Sequence, residues 1–263
     1  MHKISISIVI PVYNSEKILP NLIESIIFYL NKDFSGLKYE IILINDFSSD
    51  NSWKVITELS TKLKNLKGLN LSENSGQHNA VMAGLNEALG DKIITMDDDF
   101  QHHPSNLVYF VNKLDECDAC YTYYKNRKHN FWKKYCSHLN NLVSSFLLDK
   151  PIYIYMSSFR GLKKKVLLEI IKYKKKNVYL DYLILKNTKN VKMINVEHHE
   201  RLEGNSNYNL KKLLTLWSSM VLCADFFPLR YKSFFILFFK IIAKILVKSK
   251  KNTSQFKVLE KTF

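Results

Sequence analysis

The residues best suited to chemistry lie in one short stretch, Ile94-Thr-Met-Asp-Asp-Asp-Phe-Gln-His-His-Pro104, where an apolar run breaks into three adjacent carboxylates, Asp97, Asp98 and Asp99, followed by Gln101, His102 and His103. Like charges at adjacent positions repel, so the cluster needs either water or a cation. A strand ending in Asp-x-Asp can hold a divalent ion through hard oxygen ligands, with phosphates supplying the remaining ligands. Such an ion would neutralise a departing nucleoside diphosphate as a Lewis acid. The plainer alternative is an acidic loop at the start of the helix that begins near Ser105, where negative charge suits the helix dipole.

The elements that must position this cluster repeat regularly. "ISISIVIPVY" reads as a buried strand ending at Pro11, and residues 16–30 have helical periodicity with Ser15 as N-cap. "YEIILIND" is a second strand, followed by a turn whose Ser49 or Asp50 caps a helix running to about Lys64. "KGLNL" is a short third strand, "ENSGQHNAVMAGLNEALG" turns through Gly76 into a helix stopped by Gly90, and "DKIITMDDD" is the fourth strand. Strand and helix alternating four times imply an α/β fold with a mostly parallel sheet covered by helices on both faces. Ligands of such sheets bind beyond the carboxyl ends of the strands, which is where Asp46 and the Asp97 cluster fall. Beyond Pro104 the pattern loosens: "DACYTYY" is strand-like, a helix is expected from about Phe131, and a strand or loop at "MSSFRG" precedes a basic amphipathic helix. "VYLDYLIL" is a helical stretch carrying Asp181, "VKMINV" a strand before a polar loop, and the chain is expected to be helical from Leu210 onward.

Composition narrows the partners. The 263 residues suffice for one sizeable α/β domain with an appendage, and 39 Lys+Arg against 24 Asp+Glu give a net charge of +15. That balance points to a polyanionic partner: phosphorylated ligands, an acidic membrane surface or nucleic acid. The four cysteines form no disulfide framework, and the Cys117/Cys120 pair lacks a second pair at zinc spacing, so buried thiols in a reducing compartment are expected. No run of about 20 apolar residues offers a membrane span. "FFILFFKIIAKILV", residues 234–247, instead places Lys240, Lys244 and Lys248 on one helical stripe, as in an interfacial helix with its lysines toward anionic headgroups. A buried C-terminal helix with solvated lysines is the alternative; the "KSKK" that follows favours the membrane surface.

"SIVIPVYNSEKILPNLIESI", "EIILINDFSSDNSW", "NSGQHNAVMAGL" and "MDDDFQHHP", in this order, resemble family 2 glycosyltransferases of the GT-A fold. "SSFRGLKKKVL" and "RLEGNSNY…FFPLR" are similar to the dolichyl-phosphate mannose synthase and bacterial polyprenyl-phosphate glycosyltransferase branch. The resemblance implies a catalytic domain over 1–209, with a nucleotide-sugar half over about 1–104 and an acceptor half over about 105–209, and juxtamembrane helices with a basic tail over 210–263. It implies that Pro11, Tyr13 and Asn14 line the nucleobase pocket, that Asp46 contacts base or ribose, and that Asp97 and Asp98 face the donor. Asp99 and Gln101 would hold Mg2+ or Mn2+, and Arg201, with Gly204, Ser206 and Tyr208, would close over the donor diphosphate from a loop. Arg127, Lys134, Ser137 and Arg160 would bind the acceptor's phosphate. His102 and His103 read as orienting or helix-start residues; His198 and His199, beside the Arg201 loop, are assigned no role.

These implications amount to an inverting, metal-dependent transfer from a nucleoside diphosphate sugar, a UDP-sugar in particular, to a polyprenyl phosphate at the cytoplasmic face of the cell membrane, with peripheral attachment and no nucleic acid. Two departures from the family pattern bear on this: Phe47 replaces the Gly of the usual Asp-Gly-Ser turn, and Lys134 stands where the branch has Arg. A transfer to a sugar hydroxyl of a surface polysaccharide is the second reading; it needs a general base, for which Asp181 is the candidate. A non-catalytic basic protein binding membrane or nucleic acid is the third.

Overall fold

In a computed structural model the described residues are 4–124, 140–146, 148, 150–196, 217, 220 and 255–263. The first half follows the expected alternation: β1 (Ile6–Val12), α1 (Leu19–Asp33), β2 (Tyr39–Asn45), α2 (Ser52–Lys62), β3 (Leu66–Leu71), α3 (Gln77–Glu87) and β4 (Lys92–Thr95). A 3-10 turn at Pro104–Asn106 leads into α4 (Leu107–Glu116), and β5 (Ala119–Tyr124) follows. The remaining elements are β6 (Arg160–Lys163), α5 (Lys164–Ile170), α6 (Leu180–Asn187), β7 (Val191–Val196) and β8 (Val258–Lys261).

Local chemistry sets the ends of these elements. Ser15 does not cap α1 with its side chain; its carbonyl accepts from Ile18 and Leu19, and the helix begins at Leu19 with Pro20 in its first turn. Asp50 accepts from Ser52 N at 3.0 Å and so serves the start of α2, as expected of a short polar side chain there. The apolar spacing Leu19, Leu22, Ile23, Ile26, Leu30 buries one face of α1. β1 and β2 are buried along nearly their whole length, which is why they read as continuous apolar runs rather than alternating ones.

The eight strands form one sheet in the order β7-β5-β6-β4-β1-β2-β3-β8. β4, β1, β2 and β3 are mutually parallel, and β6 enters antiparallel between β4 and β5. Arg160 of β6 thereby lies opposite Thr95 on one side and Tyr121 on the other. The apolar core divides into two clusters: α1 and α4 contribute to one, and α3, α5 and α6 to the other. At Gly84 a methyl group would meet Ile44 Cδ1 and Val9 Cγ1 at 2.6 Å, so this residue lets α3 settle directly on β1 and β2.

The expected boundary at 209/210 needs correction at the tail. β8 returns to the catalytic sheet and pairs antiparallel with β3, so residues 258–261 are its edge strand and not part of a juxtamembrane appendage. The physical reason is the open edge of β3: Gly68 N donates to Thr262 Oγ1 at 2.8 Å, Trp53 Nε1 to Glu260 Oε2 at 2.6 Å, and Lys261 pairs with Glu87 at 2.6 Å. The interfacial segment 234–247 and the helices expected from Leu210 lie outside the described residues, apart from the buried Trp217 and Met220. Among the described residues no helix is long and apolar enough to cross a membrane.

Candidate functional site

Beyond the carboxyl ends of β1, β2 and β4 lies a cleft of about 340 Å³ lined by Pro11, Val12, Tyr13, Asp46, Asn74, Gly76, Gln77, Asp97, Asp98 and Asp99. β1 and β4 are neighbours in the sheet while β2 follows on the other side of β1, so the chain's connections diverge here and leave a crevice. Each of the three loops contains one non-glycine residue in the left-handed region: Asn14 at φ 56°, Phe47 at φ 61° and Phe100 at φ 59°. Such conformations cost energy outside glycine and persist where surrounding contacts impose them. Around Asn14 those contacts are explicit: its N–H donates to Ser48 Oγ at 3.0 Å, and its Oδ1 accepts from Ser49 N at 2.8 Å.

The acidic residues have different tasks. Asp46 is buried, and its two oxygens accept from Ser75 N at 2.6 Å and Gly76 N at 2.9 Å. It therefore shapes the loop that opens α3 while also lining the cleft. Asp97 accepts from Gln77 Nε2 and from Ser158 Oγ, both at 2.5 Å. Asp98 accepts from Ser15 Oγ at 2.5 Å and Tyr13 N at 3.2 Å. Burial pushes its carboxyl up, to about 6, against those two hydrogen bonds and with the charges of Asp97 and Asp99 adding to the rise. Asp99 Oδ1 accepts from Gln101 N at 3.1 Å.

Two histidines support this loop. His102 is buried, stacks on Phe159 with 4.9 Å between ring centroids, and presents Nδ1 to Asp97 N at 3.4 Å. His103 accepts from Ser105 N at 3.3 Å at the start of the 3-10 turn. Both match the orienting and helix-start roles expected of them.

The donor-side expectations converge: Pro11, Tyr13, Asp46, Asp97, Asp98 and Asp99 all line one cleft, with Asn14 bracing two of its loops. Gln101 is different, because only its backbone is seen to engage Asp99 and it is not among the cleft-lining residues. Arg160 and Asp181 lie away from this cleft. They form an ion pair with each other, 3% and 5% exposed respectively, with neither side chain in the cleft lining. The antiparallel register of β6 turns Arg160 inward, where its charge needs the nearest carboxylate. Arg127, Lys134, Ser137, Arg201, Gly204, Ser206, Tyr208, His198 and His199 lie outside the described residues.

Four participants receive no role of their own from the sequence, although they lie inside the motifs "NSGQHNAVMAGL" and "SSFRGLKKKVL". Asn74, Gln77 and His78 sit in the segment around Gly76, and Ser158 is a neutral hydroxyl far from the acidic motif. His78 packs edge-on against Tyr179, 5.0 Å between centroids, and its Nδ1 faces Leu180 N at 3.5 Å. Burial holds its imidazole down at about 4, against the charge of Asp181, so it is neutral.

The donor set suits a hard divalent ion, since carboxylate oxygens gather at one cleft and one carboxyl already resists ionising there. Among the described residues no three His, Cys, Asp or Glu side chains form a ready-made cage.

Comparison with known proteins agrees with this geometry. The model of the family described as "Glycosyl transferase family 2" matches residues 7–171. The undecaprenyl-phosphate 4-deoxy-4-formamido-L-arabinose transferase of Proteus mirabilis (strain HI4320) is 32% identical over 232 residues, covering 87% of this chain and 70% of its own length. The enzyme of the same name from Yersinia pestis (strain Pestoides F) is 32% identical over 235 residues, with the same coverage of 87% and 70%. Among solved structures, glucosyl-3-phosphoglycerate synthase from Mycobacterium tuberculosis, in complex with Mn2+, UDP and phosphoglyceric acid, aligns with a TM-score of 0.59 at 15% identity, covering 85% of this chain and 80% of that one. S. aureus TarS 1-349 in complex with UDP aligns with a TM-score of 0.52 at 20% identity, covering 85% and 67%. These two establish a common GT-A fold.

Proposed function

The chain belongs to glycosyl transferase family 2, and from that premise we propose that it transfers a sugar from a nucleoside diphosphate sugar, a UDP-sugar in particular, to a polyprenyl phosphate at the cytoplasmic membrane surface. The observation that carries this reading is a cleft at the ends of β1, β2 and β4 whose lining brings together an exposed Tyr13 and three consecutive carboxylates. Tyr13 offers an aromatic face to a nucleobase, and Asp46 secures the loop that opens α3 in the same cleft. The relatives' names supply the acceptor class, and the +15 charge suits both a phosphate-bearing lipid and an anionic surface.

Asp99, with Gln101 and the donor's phosphates, would hold Mg2+ or Mn2+, which when bound supplies charge neutralisation for the departing diphosphate. The chain's own residues orient and exclude. Asp97, fixed by Gln77 and Ser158, faces the donor; Asp98, braced by Ser15, keeps the β1 and β4 loops together. Arg201 and the acceptor residues Arg127, Lys134 and Ser137 remain part of the proposal as phosphate-binding groups. Attack by the acceptor on the face of the anomeric carbon opposite the leaving group gives inversion. A phosphate oxygen is already ionised near neutral pH, so no general base is required. This agrees with the engagement of Asp181 by Arg160.

The test is a donor screen with purified protein, polyprenyl phosphate and Mn2+ or Mg2+, reading lipid-linked sugar by thin-layer chromatography and mass spectrometry. Transfer from a UDP-sugar, abolished by EDTA and restored by Mn2+, is expected. Transfer to an oligosaccharide with no lipid-linked product from any donor would refute the acceptor assignment.

A further inference from the structure

Asp97 is the cleft carboxylate whose two oxygens are held from opposite sides. Oδ1 accepts from Gln77 Nε2, at the first residue of α3, and Oδ2 accepts from Ser158 Oγ, two residues before β6, each at 2.5 Å. Ser158 is itself fixed. Its carbonyl accepts from Thr95 Oγ1 at 2.8 Å and from Arg160 Nε at 3.4 Å, and Arg160 is anchored by Asp181. The two donors thus come from the nucleotide-sugar half and the acceptor half of the sheet, and they meet on one carboxylate.

We propose that Ser158 is a positioning residue that fixes the plane of the Asp97 carboxylate, with Gln77 as its counterpart, so that the placement of β6 sets the geometry of the donor site. This rests on the reading of the cleft as a nucleotide-sugar site. The torsion that turns a carboxylate is broad and weakly restrained, so an Asp at a loop end presents its lone pairs over a wide range of directions. One donor on each oxygen fixes that plane and still leaves lone pairs on both oxygens for a ligand. Neutral donors suit the task better than Lys or Arg would. They orient the carboxylate without cancelling its charge, and short bonds to an ionised acceptor are stronger than those between neutral groups. The sequence motifs that contain Gln77 and Ser158 do not by themselves assign either residue this role; the two bonds to Asp97 do.

Isosteric variants of Ser158 test the assignment. Ser158→Thr keeps the hydroxyl, and Ser158→Val has the same shape as Thr without it. The readouts are the calorimetric Kd for UDP in the presence of Mn2+, kcat/KM for the donor, the thermal midpoint, and the crystal structure of each variant. Ser158→Thr is expected within about threefold of the parent, and Ser158→Val weaker than Thr by about tenfold or more in both Kd and kcat/KM, the range expected for one hydrogen bond to a charged group. Gln77→Met is expected to move in the same direction by a smaller factor, because Gln77 is exposed and water replaces its amide. The crystal structures need no ligand: the Asp97 carboxylate plane should be retained in Thr and turned in Val. Equal Kd, equal kcat/KM and an unturned plane in Val and Thr overturn the proposal, as does a Val variant altered only in its thermal midpoint. Failure of the parent to bind UDP would sink the nucleotide reading alone, and the carboxylate plane would then decide the role of Ser158 by itself.

Discussion

Asp181→Asn is the most informative single substitution, because sequence alone leaves two roles open for this carboxylate, catalytic base or polar residue on a helix near the site, and the structure makes it a buried ion-pair partner. Asp181 and Arg160 are 5% and 3% exposed and face one another directly. Tyr121 is buried against them, and burial together with the charge of Asp181 holds its hydroxyl well above the ordinary tyrosine value. Replacing the carboxylate by a neutral amide of the same size leaves a buried guanidinium without its ion-pair partner, with only the more distant charge of Asp97 acting on it. Breaking a buried pair from one side costs about 3–5 kcal/mol, which is a large part of the 5–15 kcal/mol that holds a typical domain together. Replacing both partners with apolar side chains removes the charge and its counter-charge together and is often neutral or stabilising.

The assay is urea denaturation followed by tryptophan fluorescence on the parent, Asp181→Asn, Arg160→Met, and the double variant Arg160→Met/Asp181→Leu. Each single variant should lose about 3–5 kcal/mol and the double variant should return to within about 1 kcal/mol of the parent, a coupling that only contacting residues show. Sugar transfer is then measured on the folded double variant. It should remain within about tenfold of the parent, whereas loss of a general base removes about 10²–10⁴-fold. A single-variant loss under about 1 kcal/mol would refute the ion-pair argument. A stable double variant whose transfer falls by about 10²-fold or more would show that the pair serves catalysis beyond its part in stability, and would refute a purely structural role.

Three further outcomes follow from the same geometry. Deleting residues 255–263 removes β8 and uncovers the edge of β3, so the shortened protein should have a lower thermal midpoint and should self-associate in light scattering; an unchanged monomer would show the strand to be dispensable. Phe47→Gly relieves about 1–2 kcal/mol of left-handed strain and gives back about 0.5–1 kcal/mol through the freer unfolded chain, so a net stabilisation of up to about 1.5 kcal/mol in urea melts is expected, and a destabilised variant would refute the strain. His78 is held at about 4 in the folded protein against 6.5 when unfolded, so its contribution to stability is complete above pH 6.5 and is lost as pH falls toward 4. The loss between pH 7.5 and pH 5 amounts to about 2 kcal/mol at 1.36 kcal/mol per pKa unit, and His78→Gln should remove it. Asp98, held at about 6, titrates in the opposite sense over part of that range, so it is the difference between parent and variant melts that isolates His78. Parallel stability curves for the two proteins would refute the assignment.

What the sequence makes legible is governed by periodicity and by charge. β1 and β2 are buried on both faces, so their apolar runs stand out, and the acids at the ends of β2 and β4 mark the cleft in the sequence itself. β8 has no such mark. It is four residues long and partly exposed, and it is a strand only because β3 offers an unpaired edge, while the lysine-rich stretch before it reads as a membrane-facing tail. The Arg160–Asp181 pair is hidden for a related reason. Sequence shows a cation near a site rich in expected phosphate contacts, but only the antiparallel register of β6 between Thr95 and Tyr121 reveals that the side chain turns inward.

That register also changes how the two halves of the catalytic domain relate. The sequence leads one to expect a donor half over about 1–104 and an acceptor half over about 105–209. In the sheet, β6 and β4 are hydrogen-bonded neighbours, so the second half is built onto the strand that ends in the acidic cluster. Thr95, the last residue of β4, donates to the carbonyl of Ser158, and the hydroxyl of Ser158 returns to Asp97 two residues beyond. Through these two bonds Ser158, in the segment that leads into β6, is tied both to β4 and to the first acid of the cluster beyond it. The buried Arg160–Asp181 pair, costly to form and more costly to break from one side, then acts as an anchor for that coupling, since it ties β6 to α6 at the residue next but one to Ser158.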